Sequence, residues 1–96
     1  MKIFSVFGSA PQVIKSLQLF LKDNSFSQIK IDRSSNEITA ERKKRLLWKD
    51  YVHIKVKSAK ENVTNIELEV NPVQPHRRPS DEYTEAELQR KLFLYF

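Results

Sequence analysis

The chain contains no cysteine and only one glycine, Gly8, among its 96 residues. Without cysteine it can form no disulfide, carries no thiolate nucleophile and has no cysteine-bound zinc. Phosphate loops and dinucleotide-binding turns need several glycines so that the backbone can approach the ligand closely. The single glycine therefore argues against both kinds of site.

Long apolar runs are also lacking, and no stretch approaches the ~20 apolar residues that span a membrane. The opening residues 1–7 are too short for the apolar region of a signal peptide, and no small-residue cleavage site follows them. Small secreted domains often depend on disulfides, which this chain cannot form. We therefore expect a cytoplasmic protein with no transmembrane segment.

What is present is an ordinary globular composition, with 40% hydrophobic and 30% charged residues. A chain of this length predicts a single domain over 1–96 with one core. Residues 2–7 are apolar on both faces and predict a strand that ends at Gly8. Ser9 is a good N-cap and Pro11 is tolerated in a first turn, so a helix is expected over about 10–22. Its apolar stripe consists of Val13, Ile14, Leu17, Phe20 and Leu21.

After this helix the apolar residues recur with a period of two, which predicts a meander of four strands with one buried and one solvent-exposed face. Turns are expected at 33–36 and 58–62. The apolar positions are Ile29, Ile31, Ile38, Ala40, Val52, Ile54, Val56, Ile66, Leu68 and Val70.

The connection between the third and fourth strands has two interpretations. In one, the fourth strand begins at Leu46 and the turn lies within 42–45, which places Asp50 on the inward face. In the other, the chain turns at Lys49 and Asp50. Either way, the basic residues of this region lie at or near the end of a hairpin.

Residues 71–80 contain three of the four prolines and predict an extended linker, since proline cannot donate to a strand ladder. Leu88, Leu92 and Tyr95 predict a C-terminal helix that runs from about 82–85 to the C-terminus. The fold class is therefore α+β, with one antiparallel sheet, the order β-α-β-β-β-β-α and both helices packed on one face. This element order is similar to one half-repeat of the TATA-binding protein, a likeness of topology that implies a fold and no function.

Positive charge is concentrated at the predicted hairpin end. One interpretation is a solvated end that prevents aggregation, and the other is a site for anionic partners, nucleic acid or an acidic membrane surface. In the second, cationic side chains contact phosphates and an aromatic ring stacks on bases. The residues concerned are Arg42, Lys43, Lys44, Arg45, Trp48 and Lys49, with Arg77 and Arg78 as a secondary group.

The first strand offers a second candidate surface. Ile3, Ser5 and Phe7 face one way, and Phe4 and Val6 the other. One of these faces fills the core, and the other either remains exposed or is covered by the C-terminal residues 94–96 or by the linker. An exposed apolar patch of this kind is typical of an interface. Ile3, Phe4 and Phe7 are the candidate interface residues.

Catalysis has little support, because His53 lies on a solvent-exposed strand where a charge-ladder role is expected, even with Glu67 or Glu41 beside it. Two histidines without cysteine predict no metal site, and no motif indicates a cofactor. We expect a small non-enzymatic interaction module that acts by protein–protein contact or self-association. The alternative is a binder of anionic partners through the basic hairpin.

Overall fold

The computed structural model describes residues 1–45, 48–73 and 82–96, and it confirms the α+β class and the predicted order of elements. Five antiparallel strands form one sheet in the order β1-β5-β4-β3-β2. The elements are β1 (Lys2–Phe7), α1 (Ala10–Asp23), β2 (Ser27–Asp32), β3 (Glu37–Arg45), β4 (Trp48–Lys60), β5 (Val63–Val73), α2 (Glu82–Leu92) and a 3-10 turn (Phe93–Tyr95).

Helix α1 begins where the sequence places it. Gly8 has φ 135°, a backbone angle that residues other than glycine rarely adopt. This backbone conformation turns the chain from β1 toward the helix. The backbone N–H of Ser9 donates to Gln12 Oε1 at 3.2 Å, which satisfies one donor at the helix start. All five residues of the predicted stripe are buried. Burial of each large apolar side chain stabilises the fold by roughly 1.5–3 kcal/mol.

The sheet has the predicted alternation, since the inward residues of β3, β4 and β5 are buried and their neighbours are not. Helix α1 packs on β4 and β2, and α2 packs on β5 and β1, so both helices cover the same face. The opposite face carries no helix in the described part of the chain. We call it the outer face.

Three boundaries differ from the sequence prediction. Helix α2 was expected to run to the C-terminus but ends at Leu92, where the 3-10 turn Phe93–Tyr95 follows. Strand β4 continues to Lys60, and the turn narrows to Glu61 and Asn62, where Asn62 has φ 59°. Strand β5 continues through 71–73, which the sequence assigned to the linker. These three residues pair with the first half of β4. Pro72 has the same parity as Val70, whose N–H points away from β4 to Glu85, so the missing N–H of the proline removes no hydrogen bond between β4 and β5.

The hairpin between β3 and β4 follows neither predicted turn. Strand β3 ends at Arg45 and β4 begins at Trp48, and the two leucines between them lie outside the described residues. Asp50 points inward, as the first interpretation required, and is 0% exposed. The hairpin is therefore longer than predicted, and its basic residues lie on paired strands.

The two outermost strands differ in regularity. Strand β2 contains an irregularity between Ser27 and Lys30, and Gln28 within it has φ 52°. Strand β1 pairs with β5 in continuous register from Lys2 to Phe7. Bulges are one of the devices by which edge strands resist further pairing, and β1 has none.

Candidate functional site

Most of the outer face is a ladder of opposite charges. Lys55 on β4 lies directly opposite Glu37 on β3 and Glu67 on β5. Its Nζ is 3.8 Å from Glu37 Oε1, and Lys57 Nζ is 3.6 Å from Glu67 Oε2. Cross-strand pairs of this kind stabilise a sheet by roughly 0.2–1 kcal/mol each and fix its register. This part of the outer face is internally neutralised.

His53 belongs to the same ladder. Its Nε2 lies 3.3 Å from Glu37 Oε1, and its side chain is one-third exposed. The carboxylate beside it is therefore Glu37. The two that the sequence offered, Glu41 and Glu67, each lie within ion-pair distance of a lysine instead.

The apolar patch on the outer face belongs to β1. Ile3 is 66% exposed and Phe7 is 86% exposed. Phe4 points to the helix-bearing face, where its ring lies edge-on to that of Phe93 with centroids 5.3 Å apart. Of the three candidate interface residues, the structure brings Ile3 and Phe7 together on the outer face and places Phe4 on the other side of the same strand.

The C-terminal residues do not cover this patch. Tyr95 packs edge-on against Phe20 of α1 with ring centroids 5.6 Å apart, and its hydroxyl donates to Asp23 Oδ2 at 2.6 Å. These contacts hold the C-terminal segment on the helix-bearing face. Leu94, within the 3-10 turn, is 85% exposed.

The backbone of β1 has one paired and one open side. Gly8 N–H donates to the Asn62 carbonyl at 2.7 Å, in continuation of the β1–β5 register. Hydrogen-bonded pairs alternate with non-bonded pairs along antiparallel strands, so the even-numbered residues of β1 direct their backbone groups to β5. The odd-numbered residues, Ile3, Ser5 and Phe7, direct theirs to the open edge. No strand in the described ranges pairs with that edge.

A groove of about 400 Å³ lies at the end of β1, on the helix-bearing side of the edge. Phe7 and Gly8 form its β1 wall, Leu19 belongs to the flank of α1, and Phe96 lies at the C-terminus. Leu19 is 54% exposed and Phe96 is 39% exposed. The open edge therefore has apolar side chains on both of its faces.

The structure divides the predicted basic cluster between the two faces. Arg42 points inward, where its Nη2 lies 3.0 Å from Asp50 Oδ2 and its Cζ lies 4.8 Å from the centre of the Phe26 ring. Lys43 is exposed and faces Lys49 across the hairpin on the outer face. The side chains of Lys44, Arg45 and Trp48, and the whole of Arg77 and Arg78, lie outside the described residues.

Sequence reasoning missed one buried charge. Glu85 is 0% exposed on α2, its Oε2 accepts the Val70 N–H at 2.9 Å, and its Oε1 lies 2.7 Å from the Met1 ammonium. The pairing connects α2 to the last part of β5 and to the start of β1. A signal was present in the sequence, because Glu85 precedes Leu88 and Leu92 by three and seven positions and so lies on their helical face.

Within the described ranges, no group of three or more histidine, aspartate or glutamate side chains is placed to hold a metal ion. The helices of that part of the chain include none long and apolar enough to span a bilayer. No protein-family model and no curated protein matches the chain. Function has to be argued from its geometry.

Proposed function

We propose that this chain is a non-enzymatic interaction module whose β1 edge binds an extended protein segment as an additional strand. The observation that carries the proposal is the open edge itself, where Ile3 and Phe7 are 66% and 86% exposed beside backbone groups that no described strand pairs with. In strand addition, main-chain hydrogen bonds provide affinity and alternate side chains provide specificity.

Both faces of an added strand would meet apolar side chains. Its outward residues would lie beside Ile3 and Phe7. Its inward residues would lie near Phe4 and Phe93, whose rings already contact each other, and near Phe96 in the groove. Exposed apolar side chains along an open strand edge are typical of an interface.

The opposite edge supports the choice of β1. Natural sheets protect their edges with bulges, charges and short strands. Strand β2 has an irregular register, a left-handed Gln28 and exposed Lys30 and Asp32. Strand β1 has a regular register and one charged residue, Lys2. The contrast is what we expect if one edge is protected and the other binds a partner.

Anion binding by the hairpin is the weaker candidate. The guanidinium of Arg42 is already bound to Asp50, and Lys49 Nζ lies 3.7 Å from Glu41 Oε1. What favours it is the direct opposition of Lys43 and Lys49, since like charges in register repel unless an anion lies between them.

Affinity capture from a cell extract tests strand addition. The wild-type chain is compared with a double variant, Ile3→Lys with Phe7→Lys, and with Tyr51→Lys as a matched control. Tyr51 is a 40% exposed aromatic on the same outer face, but it lies on an internal strand. We expect particular proteins to be retained by the wild type and by the Tyr51 variant and lost by the edge variant. Equal retention by all three chains would rule out the β1 edge.

The weaker candidate has a separate test. Fluorescence anisotropy of labelled single- and double-stranded DNA and RNA is measured at two salt concentrations, with the wild type and with Lys43→Glu/Lys49→Glu. Salt-sensitive binding that this double variant abolishes would favour the hairpin, because phosphate contacts release counterions. We expect no binding that depends on these two lysines.

A further inference from the structure

We propose that the strand received by the β1 edge is β1 of a second copy, paired antiparallel about a two-fold axis at Ser5. This inference rests on the proposed function and names the partner. A homodimer of this kind would join two five-stranded sheets edge to edge into one continuous sheet.

The alternating direction of the backbone groups along β1 restricts the register in which two copies of this strand can pair. Directly opposed residues in an antiparallel pair point to the same face of the sheet, so odd-numbered residues of one copy must face odd-numbered residues of the other. Ile3, Ser5 and Phe7 are also the residues whose N–H and C=O groups point to the open edge. A two-fold axis at Ser5 therefore makes all three into hydrogen-bonded positions, with about six interchain hydrogen bonds.

The same register is self-complementary in its side chains. On the outer face it places Ile3 opposite Phe7 of the second copy, and it does so twice by symmetry. On the inner face it places Phe4 opposite Val6 of the second copy. Aliphatic–aromatic pairs directly across strands are among the more stabilising combinations in sheets.

Displacing the axis to Phe4 gives a poorer match. Ile3 would then face Ser5 of the second copy, and the charged Lys2 would face the apolar Val6. Phe7 would extend to the end of the pairing opposite Met1. The sequence of β1 thus prefers the Ser5 axis, because that register pairs apolar side chains on both faces.

The exposed area fits a weak dimer. An aromatic side chain buries about 200 Å² when covered, and Phe7 is 86% exposed. Together with Ile3, it presents roughly 300 Å² of apolar surface per copy, against about 800 Å² per partner in a standard interface. We therefore expect a reversible dimer with micromolar affinity, detectable in concentrated solution.

Cross-linking through an introduced cysteine tests the register. The chain has no cysteine of its own, so Ser5→Cys creates a single thiol at the proposed axis. Opposed residues of a hydrogen-bonded pair have Cα atoms about 5.5 Å apart, which a disulfide spans. Ser27→Cys on β2 is the matched control, since it places the same exposed thiol on the other edge strand. We expect oxidation to give a covalent dimer of Ser5→Cys and much less of Ser27→Cys.

Sedimentation velocity over a dilution series tests the association itself. Ser5→Pro removes an N–H that the sheet does not use, so the fold should tolerate it while dimerisation is lost. Ser5→Ala is its control, because it also loses the 2.6 Å hydrogen bond from the Ser5 hydroxyl to Asn65 but keeps the edge N–H. Phe7→Lys provides a second variant, at a position too exposed to disturb the core.

The proposal predicts at least a tenfold weaker dimer for Ser5→Pro and Phe7→Lys, a change of about 1.4 kcal/mol or more, and near wild-type association for Ser5→Ala. A wild-type chain that remains monomeric at the highest concentration would overturn it, and so would a dimer unaffected by both edge variants. If the wild type stays monomeric, the β1 edge can still bind a strand of a different protein, and affinity capture tests that. The second result removes the β1 edge as an interface between copies.

Discussion

Arg42 and Asp50 lie directly opposite each other on β3 and β4, and Nη2 of Arg42 is 3.0 Å from Oδ2 of Asp50 on the inward face of the sheet. Asp50 is fully buried and the Arg42 side chain is 20% exposed. The same guanidinium lies over Phe26. A cation that looks available in the sequence is therefore a structural component of the sheet.

Removal of one partner should destabilise the fold more than removal of both. For Asp50→Ala we expect the free energy of unfolding to fall by about 3 kcal/mol, because a mostly buried guanidinium is left without its carboxylate. Arg42→Met combined with Asp50→Leu should recover most of that loss. Urea denaturation of the three chains measures both effects. A loss below about 0.5 kcal/mol for Asp50→Ala, the size of a surface pair, would contradict the buried geometry.

Glu85 gives a second prediction. Glu85→Leu leaves the Val70 N–H buried without its acceptor, which should cost about 1–3 kcal/mol of stability. Glu85→Gln keeps an acceptor oxygen for that N–H and should cost less. Chemical denaturation gives the stabilities, and hydrogen exchange at Val70 should accelerate in the leucine variant alone. Equal protection of this amide in both variants would show that the bond does not matter.

The phenol of Tyr95 gives a prediction about alkaline pH. Its hydrogen bond to Asp23 raises its pKa above the usual value, and partial burial and the Asp23 charge act in the same direction. The folded chain therefore holds this proton more tightly than the unfolded chain. The resulting stability is complete below the unfolded pKa of about 10 and is lost as the pH rises through the folded pKa.

Phenolate absorbance of the wild type, with the titration of Tyr95→Phe subtracted, isolates this tyrosine. We expect its midpoint to lie above that of an unperturbed tyrosine and to fall in Asp23→Ala. The same midpoint in wild type and Asp23→Ala would disprove the role of the hydrogen bond.

The glycine at the end of β1 gives the fourth prediction. Alanine at this position would be strained, because residues with a Cβ rarely adopt φ 135°. Its added Cβ would lie 3.4 Å from Val13 Cγ2. Gly8→Ala should therefore lower the free energy of unfolding by about 1–3 kcal/mol. Thermal denaturation compared with Ala10→Gly, a substitution near the helix start, separates local strain from helix propensity. An unchanged midpoint for Gly8→Ala would mean that the turn relaxes at no cost.

Periodicity was sufficient to predict the layers of this fold. A period of two over β2 to β5 and a helical period over α1 identify the inward residues, and these form the core. The order of elements follows from the same patterns. These predictions succeed because burial of apolar side chains decides which face turns inward, and that preference is local to each element.

The sequence was less informative where polar residues point inward. Arg42 continues the parity of Ile38 and Ala40, yet its charge indicated a solvated position. Its burial depends on Asp50 on the neighbouring strand, and hence on a hairpin register that sequence alone left open between two turns. The prediction also ended β5 too early. Pro72 indicates the end of a strand when only the sequence is considered, and the sequence did not show that β4 continues beside it.

The openness of β1 was left as one of two alternatives, because coverage of Ile3 and Phe7 depends on how the C-terminal residues and the predicted linker pack. Tyr95 answers the first part by bonding to Asp23 on the helix-bearing face. Residues 74–80 of the predicted linker lie outside the described residues. A tyrosine at the C-terminus and an aspartate at the end of α1 gave no indication in the sequence that they would meet.

If two molecules join through β1 as proposed, the irregular β2 strand limits how far the sheet can extend. If both outer strands accepted partners, each added molecule would present a fresh site, and the sheet would lengthen without limit into a ribbon. With the twisted β2 at one end, two molecules joined through β1 are capped at both extremities. Removal of one residue near Gln28, which would restore a regular register to this edge, is thus the kind of change that would turn a finite pair into a fibre.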